Sequence, residues 1–203
     1  TPGGVVFTSG VTVGAGVQDP VPRPELGGVI QNDNLISYTY DPTPGTPFTG
    51  VGGNLQNRVL ENGDGNLVFM QRIRDTFNID GGTLAILAYQ LTGYSGFDVD
   101  VDFRLDGLGD KGFTSVSRSA DGDLMTFRYA DPIFVDSVNP PGRQQTSYFP
   151  AILTDAKQYD FSGQMTIFAE IVPLGANGPS GVAGNLFRIE IDGLVAPTVP
   201  VPA

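Results

Sequence analysis

The sequence predicts an all-β protein, a two-sheet β-sandwich of jelly-roll type with about ten strands. Turn signals rich in Gly, Asp and Asn separate short runs of β-branched and aromatic residues along the chain. The 203 residues include 28 glycines and 16 prolines, but 40% are hydrophobic, which is too much apolar side chain for a disordered protein. No segment has the pattern of a long amphipathic or membrane-spanning helix, and no fixed-period repeat points to a propeller.

The clearest strand lies in the stretch GFDVDVDFRLDGLGD, residues 96–110. Large apolar residues occupy every second position from Phe97 to Leu105. The intervening positions carry three carboxylates and one guanidinium: Asp98, Asp100, Asp102 and Arg104. Since successive strand side chains point to opposite faces, we expect the apolar set to face the core. We interpret the aspartates mainly as a solubilising outer face.

The remaining strands are predicted in chain order from β-branched, aromatic and alternating patterns. They cover residues 35–40, 58–60, 66–73, 83–91, 113–118, 124–129, 164–171 and 185–195. Residues 83–91 are almost continuously apolar and are interpreted as a central strand. Proline-rich residues 41–54 and 131–150 are predicted to be loops, and residues 151–159 are expected to hold one helical turn.

The predicted organisation has three parts: an N-terminal strand and Pro-rich arm (1–24), one β-sandwich domain (25–195) and a Pro-rich tail (196–203). Pro20, Pro22 and Pro24 stand at every second position, which imposes an extended linker. Ahead of them the apolar residues have strand-like spacing: Val5, Val6, Phe7, Val11 and Val13. This segment either forms an ordinary edge strand of its own domain or adds to the sheet of another subunit.

The composition excludes several kinds of chemistry. The chain contains no His, Cys or Trp, so it has no Ser–His or Cys–His nucleophile, no imidazole metal site and no disulfide. Its formal net charge is -11, which disfavours nucleic acid and anionic membranes as partners. Divalent cations, cationic partners and neutral glycans are easier to accommodate.

Two acidic segments are candidate calcium sites, because calcium prefers hard oxygen ligands. One is the loop end of the 96–110 stretch, where Asp106 and Asp110 flank Gly107 and Gly109. The other is the turn NGDGN, which offers Asn62, Asp64 and Asn66 at alternate positions. An EF-hand would need Glu where this chain has Ile73, and a β-hairpin turn explains the same residues.

We expect no enzymatic activity and no required cofactor, with calcium as the candidate ion. The carboxylates are abundant, but no pair lies in a context typical of glycoside hydrolysis. Seven tyrosines could stack against sugar rings, although core or rim packing is the more common role of Tyr in a β-sheet. A surface-displayed glycan- or calcium-binding module is therefore the alternative function.

The C-terminal segment VAPTVPVPA, Val195 to Ala203, resembles the Pro-rich sorting region of bacterial PEP-CTERM proteins. The glutamate of that motif is replaced here by Val201, between Pro200 and Pro202. The resemblance implies a β-rich protein that is exported and processed by an exosortase at the cell surface. Because the chain begins at Thr1 without a basic and apolar leader, we expect that a signal peptide has been removed. The leading hypothesis is a non-enzymatic extracellular subunit that self-assembles into a filament, sheath or matrix, with the Val5–Val13 segment as the inter-subunit strand.

Overall fold

A computed structural model of the chain describes residues 5–7, 12–14, 23–40, 50–78, 82–104, 108–136, 142–173 and 186–199. These residues form twelve β-strands and one short 3-10 helix, Pro24–Leu26. The strands make two six-stranded sheets in which every neighbouring pair is antiparallel. The predicted all-β sandwich is therefore confirmed. Within the described residues no helix is long and apolar enough to cross a membrane.

The two sheets are called sheet A and sheet B. From edge to edge, sheet A consists of β1 (Val5–Phe7), β7 (Val99–Arg104), β10 (Phe149–Thr154), β5 (Leu67–Asn78), β4 (Val51–Glu61) and β3 (Val29–Tyr40). Sheet B consists of β12 (Leu186–Thr198), β11 (Gln158–Pro173), β6 (Gly82–Leu91), β9 (Met125–Asp136), β8 (Ser115–Arg118) and β2 (Thr12–Gly14). Consecutive strands β3, β4 and β5 form a simple meander and β11 and β12 form a hairpin, so the strand order does not confirm a jelly roll.

The main core lies between the two sheets and is built from alternate residues of the central strands. Leu55, Phe69, Ile86, Phe127 and Ile167 are all completely buried there. Burial of each such side chain stabilises the fold by about 1.5–3 kcal/mol, so this interface supplies most of the hydrophobic stabilisation. The run at 83–91 is a central strand, as predicted, because β6 lies between β11 and β9.

A buried polar contact fixes the two sheets relative to each other. Asn57 on β4 and Gln71 on β5 are cross-strand partners whose side chains enter the interior. The Asn57 Oδ1 accepts a hydrogen bond from the Val195 amide at 3.0 Å, and the Gln71 Nε2 donates one to the Val195 carbonyl at 3.0 Å. The ladder between β11 and β12 shifts register at Val195, which has no cross-strand partner in β11, and again between Leu194 and Asp192. The two side-chain amides therefore satisfy backbone groups that the ladder leaves unpaired.

The predicted loop at 41–54 is wrong at its C-terminal end, because β4 begins at Val51. Gly52 and Gly53 belong to the strand although glycine normally weakens strands. A Cβ on Gly52 would lie 2.5 Å from the Phe77 ring, and one on Gly53 would lie 2.7 Å from the Tyr38 hydroxyl. These glycines are thus strand residues that allow aromatic side chains to pack directly on the backbone.

Three other predicted boundaries are corrected. The predicted helical turn at 151–159 is wrong, since β10 and β11 cover most of it. The predicted loop at 131–150 is shorter, because β9 continues to Asp136 past a register shift that accommodates Pro132. β12 continues to Thr198, so Pro197 of the predicted tail lies in an edge strand, where its missing N–H is tolerated.

Candidate functional site

The predicted assembly segment divides into two short edge strands. β1 pairs with β7 in the register Val5↔Val101, Val6↔Asp100 and Phe7↔Val99. Val13 belongs to β2, which pairs with β8 through Val13↔Val116, and Val11 lies outside the described residues. Both strands lie at the same side of the sandwich, where β1 forms the edge of sheet A and β2 the edge of sheet B.

A buried charge cluster follows this segment directly and attaches it to sheet A. The Arg23 guanidinium donates hydrogen bonds to Glu25 at 2.7 Å, to Asp102 at 3.2 Å and to Asp100. Its side chain is only 8% exposed, and that of Asp102 is 4% exposed. Burial alone would lower the pKa of Arg23, but the hydrogen bonds to Glu25 and the two aspartates outweigh it and raise that pKa. Arg23 therefore stays charged and is the counter-ion of Asp100 and Asp102 on β7.

The interpretation of the β7 aspartates as a solubilising outer face is wrong for Asp100 and Asp102. Asp102 is 3% exposed, and burial raises its pKa despite the contact with Arg23. The covering residue comes from 79 positions earlier in the chain. Alternation correctly placed these carboxylates opposite the core, but it carries no information about a distant segment that covers them.

Next to this cluster, Leu26 covers an apolar patch on the outer face of sheet A. Leu26 is 4% exposed, and the patch beneath it forms a second buried cluster: Leu60, Val68, Met70, Phe149 and Ala151. Two further arginines lie over the Phe149 ring, Arg58 at 4.5 Å and Arg72 at 5.2 Å. Asp33 accepts a hydrogen bond from Arg58 at 2.8 Å. Arg23, Arg58 and Arg72 on this face thus each contact a carboxylate or an aromatic ring of the protein itself.

The NGDGN turn uses its oxygen atoms within the protein. Asn62 Oδ1 accepts hydrogen bonds from the Asp64 and Asn66 amides at 3.0 and 2.9 Å. The Lys157 ammonium donates to the Asp64 carbonyl and to Asn66 Oδ1, both at 2.9 Å. The Lys157 ammonium therefore contacts two oxygen atoms of this turn, one of them a side-chain oxygen of the calcium hypothesis. The geometry is that of a hairpin turn between β4 and β5.

The second calcium candidate lies only partly within the described part of the chain. Asp110 Oδ2 accepts a hydrogen bond from the Thr146 amide at 2.8 Å, which joins two surface segments. Asp106 lies outside the described residues. Among the residues that are described, no group of three or more carboxylates is placed to hold a metal ion.

The tyrosines are used mainly for packing. Tyr38, Tyr89, Tyr94 and Tyr129 are buried, and burial raises the pKa of each of them, to about 12 for Tyr38. Tyr40 stacks on Phe187 of the opposite sheet with ring centroids 4.8 Å apart. These rings stabilise the sandwich and are not a flat exposed platform for a sugar.

The outer face of sheet B carries a groove of about 400 Å³ that sequence reasoning missed. Its floor is apolar, with Leu87 and Ala88 from β6, Phe168 from β11 and Leu186 from β12. Gln90 and Thr126 form a polar border, in which Gln90 Nε2 donates to Thr126 Oγ1 at 3.0 Å. Leu186 is 50% exposed, whereas on the corresponding face of sheet A the covering residue Leu26 is 4% exposed.

Strand register places four side chains in one row across this groove. The cross-strand pairs Arg128↔Ala88, Ala88↔Phe168 and Phe168↔Arg188 connect β9, β6, β11 and β12. Three strand spacings separate the two arginines, a distance of about 14 Å between their backbones. The Arg188 guanidinium lies 5.3 Å from the centre of the Phe168 ring, which positions the cation without using its N–H donors.

The arginines of this row differ from the other basic side chains. Arg23, Arg58, Arg74, Arg143, Lys111 and Lys157 pair with carboxylates or bond to turn oxygens. Arg118 is buried and donates to the carbonyls of Gly122, Tyr94 and Phe97. Within the described ranges, neither Arg128 nor Arg188 has a carboxylate or carbonyl partner for its guanidinium. In a protein of net charge -11, Arg128 in the groove lining and Arg188 beside it are thus two cations without an ion-pair partner among the described residues.

Comparisons of this chain with protein-family models, with curated proteins and with solved structures gave no match. Function must therefore be argued from geometry. Two regions offer more than packing: the N-terminal strands at the sheet edges, and the groove of sheet B with Arg128 in its lining and Arg188 beside it.

Proposed function

We propose that this protein is a non-enzymatic structural subunit that self-assembles outside the cell through its N-terminal strand. The observation that carries the proposal is the position of β1, a three-residue strand at the edge of sheet A. Its register covers Val99 to Val101, half of the six-residue strand β7. An edge strand held by so short a ladder is easily exchanged for the same strand of a neighbouring subunit.

The Arg23 cluster supports the proposal because it defines where the exchangeable segment ends. Arg23 and Leu26 are buried against sheet A, so the chain is attached to the body from Arg23 onward. Residues 1–22 precede this attachment and include Pro20 and Pro22, which favour an extended linker. We take residues 1–22 as the arm that reaches a neighbour, whereas the division made from the sequence placed the end of the arm at residue 24.

Strand exchange needs little free energy because it repeats the same contacts between chains. The pairs of β1 with β7 would form between two chains instead of within one, with an equal number of backbone hydrogen bonds. Assembly is then driven by protein concentration and by any extra contact between the bodies. We assign a head-to-tail exchange, in which each subunit gives its arm to the β7 edge of the next and receives the arm of the previous one, because only this arrangement produces a chain of subunits and not a closed dimer.

The opposite edge of sheet A supplies a surface for such extra contacts. β3 is a twelve-residue edge strand. Val29, Ile30 and Leu35 on it are 69%, 53% and 52% exposed. A long edge strand with exposed aliphatic side chains favours association with another sheet. We assign it to lateral packing between chains of subunits.

The proposed location is the cell surface, supported by the resemblance of the tail to PEP-CTERM sorting regions and by the acidic composition. In the region of resemblance, Val195 to Thr198 lie in β12, and residues 200–203 lie outside the described part of the chain. An acidic surface keeps secreted subunits soluble before they assemble.

The test compares the full chain with a variant lacking residues 1–22, by light scattering and electron microscopy over a range of concentrations. We expect the full chain to form linear assemblies and the variant to remain monomeric. A variant lacking residues 200–203 is the matched control and should assemble like the full chain. A full chain that is monomeric at every concentration, or assembly that persists without residues 1–22, would overturn the proposal.

A further inference from the structure

We propose that the groove on the outer face of sheet B binds an acidic polysaccharide, with Arg128 and Arg188 as the residues that recognise its carboxylates. This inference is independent of strand exchange, since the groove lies on β6, β9, β11 and β12 and not on β1 or β7. A bound glycan would attach the subunit to a surface matrix whether or not the subunits form filaments.

Charge selects an anionic ligand. The guanidiniums of Arg128 and Arg188 have no carboxylate partner among the described residues. Arg143, beside the end of β9, in contrast pairs with Asp136, with 3.0 Å between its Nη2 and the Asp136 Oδ1. Arginine's fork of N–H donors binds a carboxylate through two parallel hydrogen bonds. The overall charge of -11 opposes polyanion binding at long range, but at about 0.15 M salt the screening length is about 8 Å and contacts at the groove dominate.

The shape of the groove favours a sugar chain over an isolated small acid. The arginine backbones are about 14 Å apart, and the Arg188 guanidinium lies over Phe168, so a chain of sugar rings spans the row more fully than one small carboxylate does. A polymer with carboxylates on successive rings presents charges at more than one position along the row. Its rings have apolar faces that can pack on Ala88 and Phe168 between the arginines.

The polar border supplies directional contacts for hydroxyl groups. Gln90 and Thr126 occupy the next positions along β6 and β9, and Gln90 is paired with Thr166 on β11. Amide and hydroxyl side chains can both donate and accept, which suits sugar hydroxyls. The sequence favoured a neutral glycan on the basis of net charge. Arg128 in the lining and Arg188 beside it instead favour an acidic glycan, and Glu190, the partner of Thr166 on β12, marks the end of the row at which a carboxylate of the ligand would be repelled.

The experiment is calorimetric titration of the intact protein with oligogalacturonate and with its fully methyl-esterified form, which has the same rings without charge. We expect binding of the acid and at least tenfold weaker binding of the ester. Arg128→Gln and Arg188→Gln should each weaken binding about tenfold or more, since a hydrogen bond to a charged group is lost. Arg74→Gln, which removes a surface arginine of sheet A, is the matched control and should bind as the unmodified protein does.

Alginate and hyaluronate, tested in the same way, decide whether a different acidic sugar is preferred. Binding to any of the three that is lost in the two groove variants supports the inference. No binding to all three, or equal binding of the methyl ester, would overturn it. Self-association that disappears in Arg128→Gln and Arg188→Gln without added saccharide would also overturn it, because the groove would then be an interface between copies. Thermal unfolding of each variant checks that the fold is intact.

Discussion

The outer faces of the two sheets use their arginines in opposite ways. On sheet A, Arg23 pairs with buried Asp102 and Leu26 covers the apolar patch around Phe149. On sheet B, Arg128 and Arg188 stand beside a groove that contains half-exposed Leu186. The covered face gains stability from its cations. Among the described residues the open face has no such ion pair, and cations without an ion-pair partner beside an apolar floor are typical of a binding surface.

The largest effect is expected from Arg23→Ala, which leaves Asp100 and Asp102 without their counter-ion. Removing one partner of a buried ion pair costs about 3 kcal/mol of unfolding free energy. Arg74→Ala is the control, because its pair with Asp75 is exposed and should cost less than about 1 kcal/mol. Urea unfolding measures both, and equal losses would show that sheet A does not depend on this cluster.

Two leucine truncations compare the apolar patch of sheet A, which Leu26 covers, with the apolar floor of the groove of sheet B. Leu26→Ala removes a 4% exposed side chain from the patch on sheet A and should cost about 2–3 kcal/mol. Leu186→Ala removes a 50% exposed side chain from the groove of sheet B and should cost less than about 0.5 kcal/mol. Similar losses by urea unfolding would mean that the groove is as well packed as the covered face.

Acid titration tests the ion pair between Arg143 and Asp136, which lies at one end of sheet B and stabilises the fold. Hydrogen bonds from Arg143, helped by Thr83, lower the pKa of Asp136 to about 2. Because the pKa is lower in the folded state, this stabilisation of about 2 kcal/mol is present above the ordinary pKa of Asp and is lost as the pH falls toward 2. The stability difference between the unmodified protein and Asp136→Asn should therefore shrink between about pH 5 and pH 2. A stability difference that stays constant over this pH range would show that the Asp136 carboxylate does not stabilise the fold through Arg143.

The smallest effect is expected from the groove arginines. Arg128→Gln and Arg188→Gln should change the unfolding free energy by less than about 0.5 kcal/mol, because neither guanidinium has an ion-pair partner in the described part of the chain. Differential scanning calorimetry provides the measurement. A loss of 1 kcal/mol or more would show that these residues stabilise the fold.

Most of the fold could be predicted because local patterns specify strands. The alternation around Val99 and Val101 and the apolar run of β6 both identified real strands. The order of the strands could not be predicted, since alternation says which face a residue occupies and not which strand lies beside it. β4 was predicted too short because glycine is more common in loops than in strands. Here Gly52 and Gly53 lie in the strand and leave room for the Phe77 and Tyr38 side chains.

The candidate sites were harder to predict because each combines residues that are distant in sequence. Arg23 reaches Asp102 across 79 positions, and Lys157 reaches Asn66 across 91. Arg188 alternates with Phe187 and Ile189, so its outward orientation was visible in the sequence. Its alignment with Arg128 depends on three strand pairings that no local pattern specifies.

Strand exchange is tested most directly with two singly substituted chains, Val5→Cys and Val101→Cys. These residues are cross-strand partners in β1 and β7, and the chain has no other cysteine. Directly opposite positions on paired strands suit a disulfide. If β1 of one chain pairs with β7 of another, mixing the two variants under mild oxidation gives a covalent heterodimer joined through positions 5 and 101. A third chain that carries both substitutions is the control. If the two singly substituted chains do not cross-link while this control closes only an internal disulfide, β1 pairs within its own subunit and strand exchange is wrong.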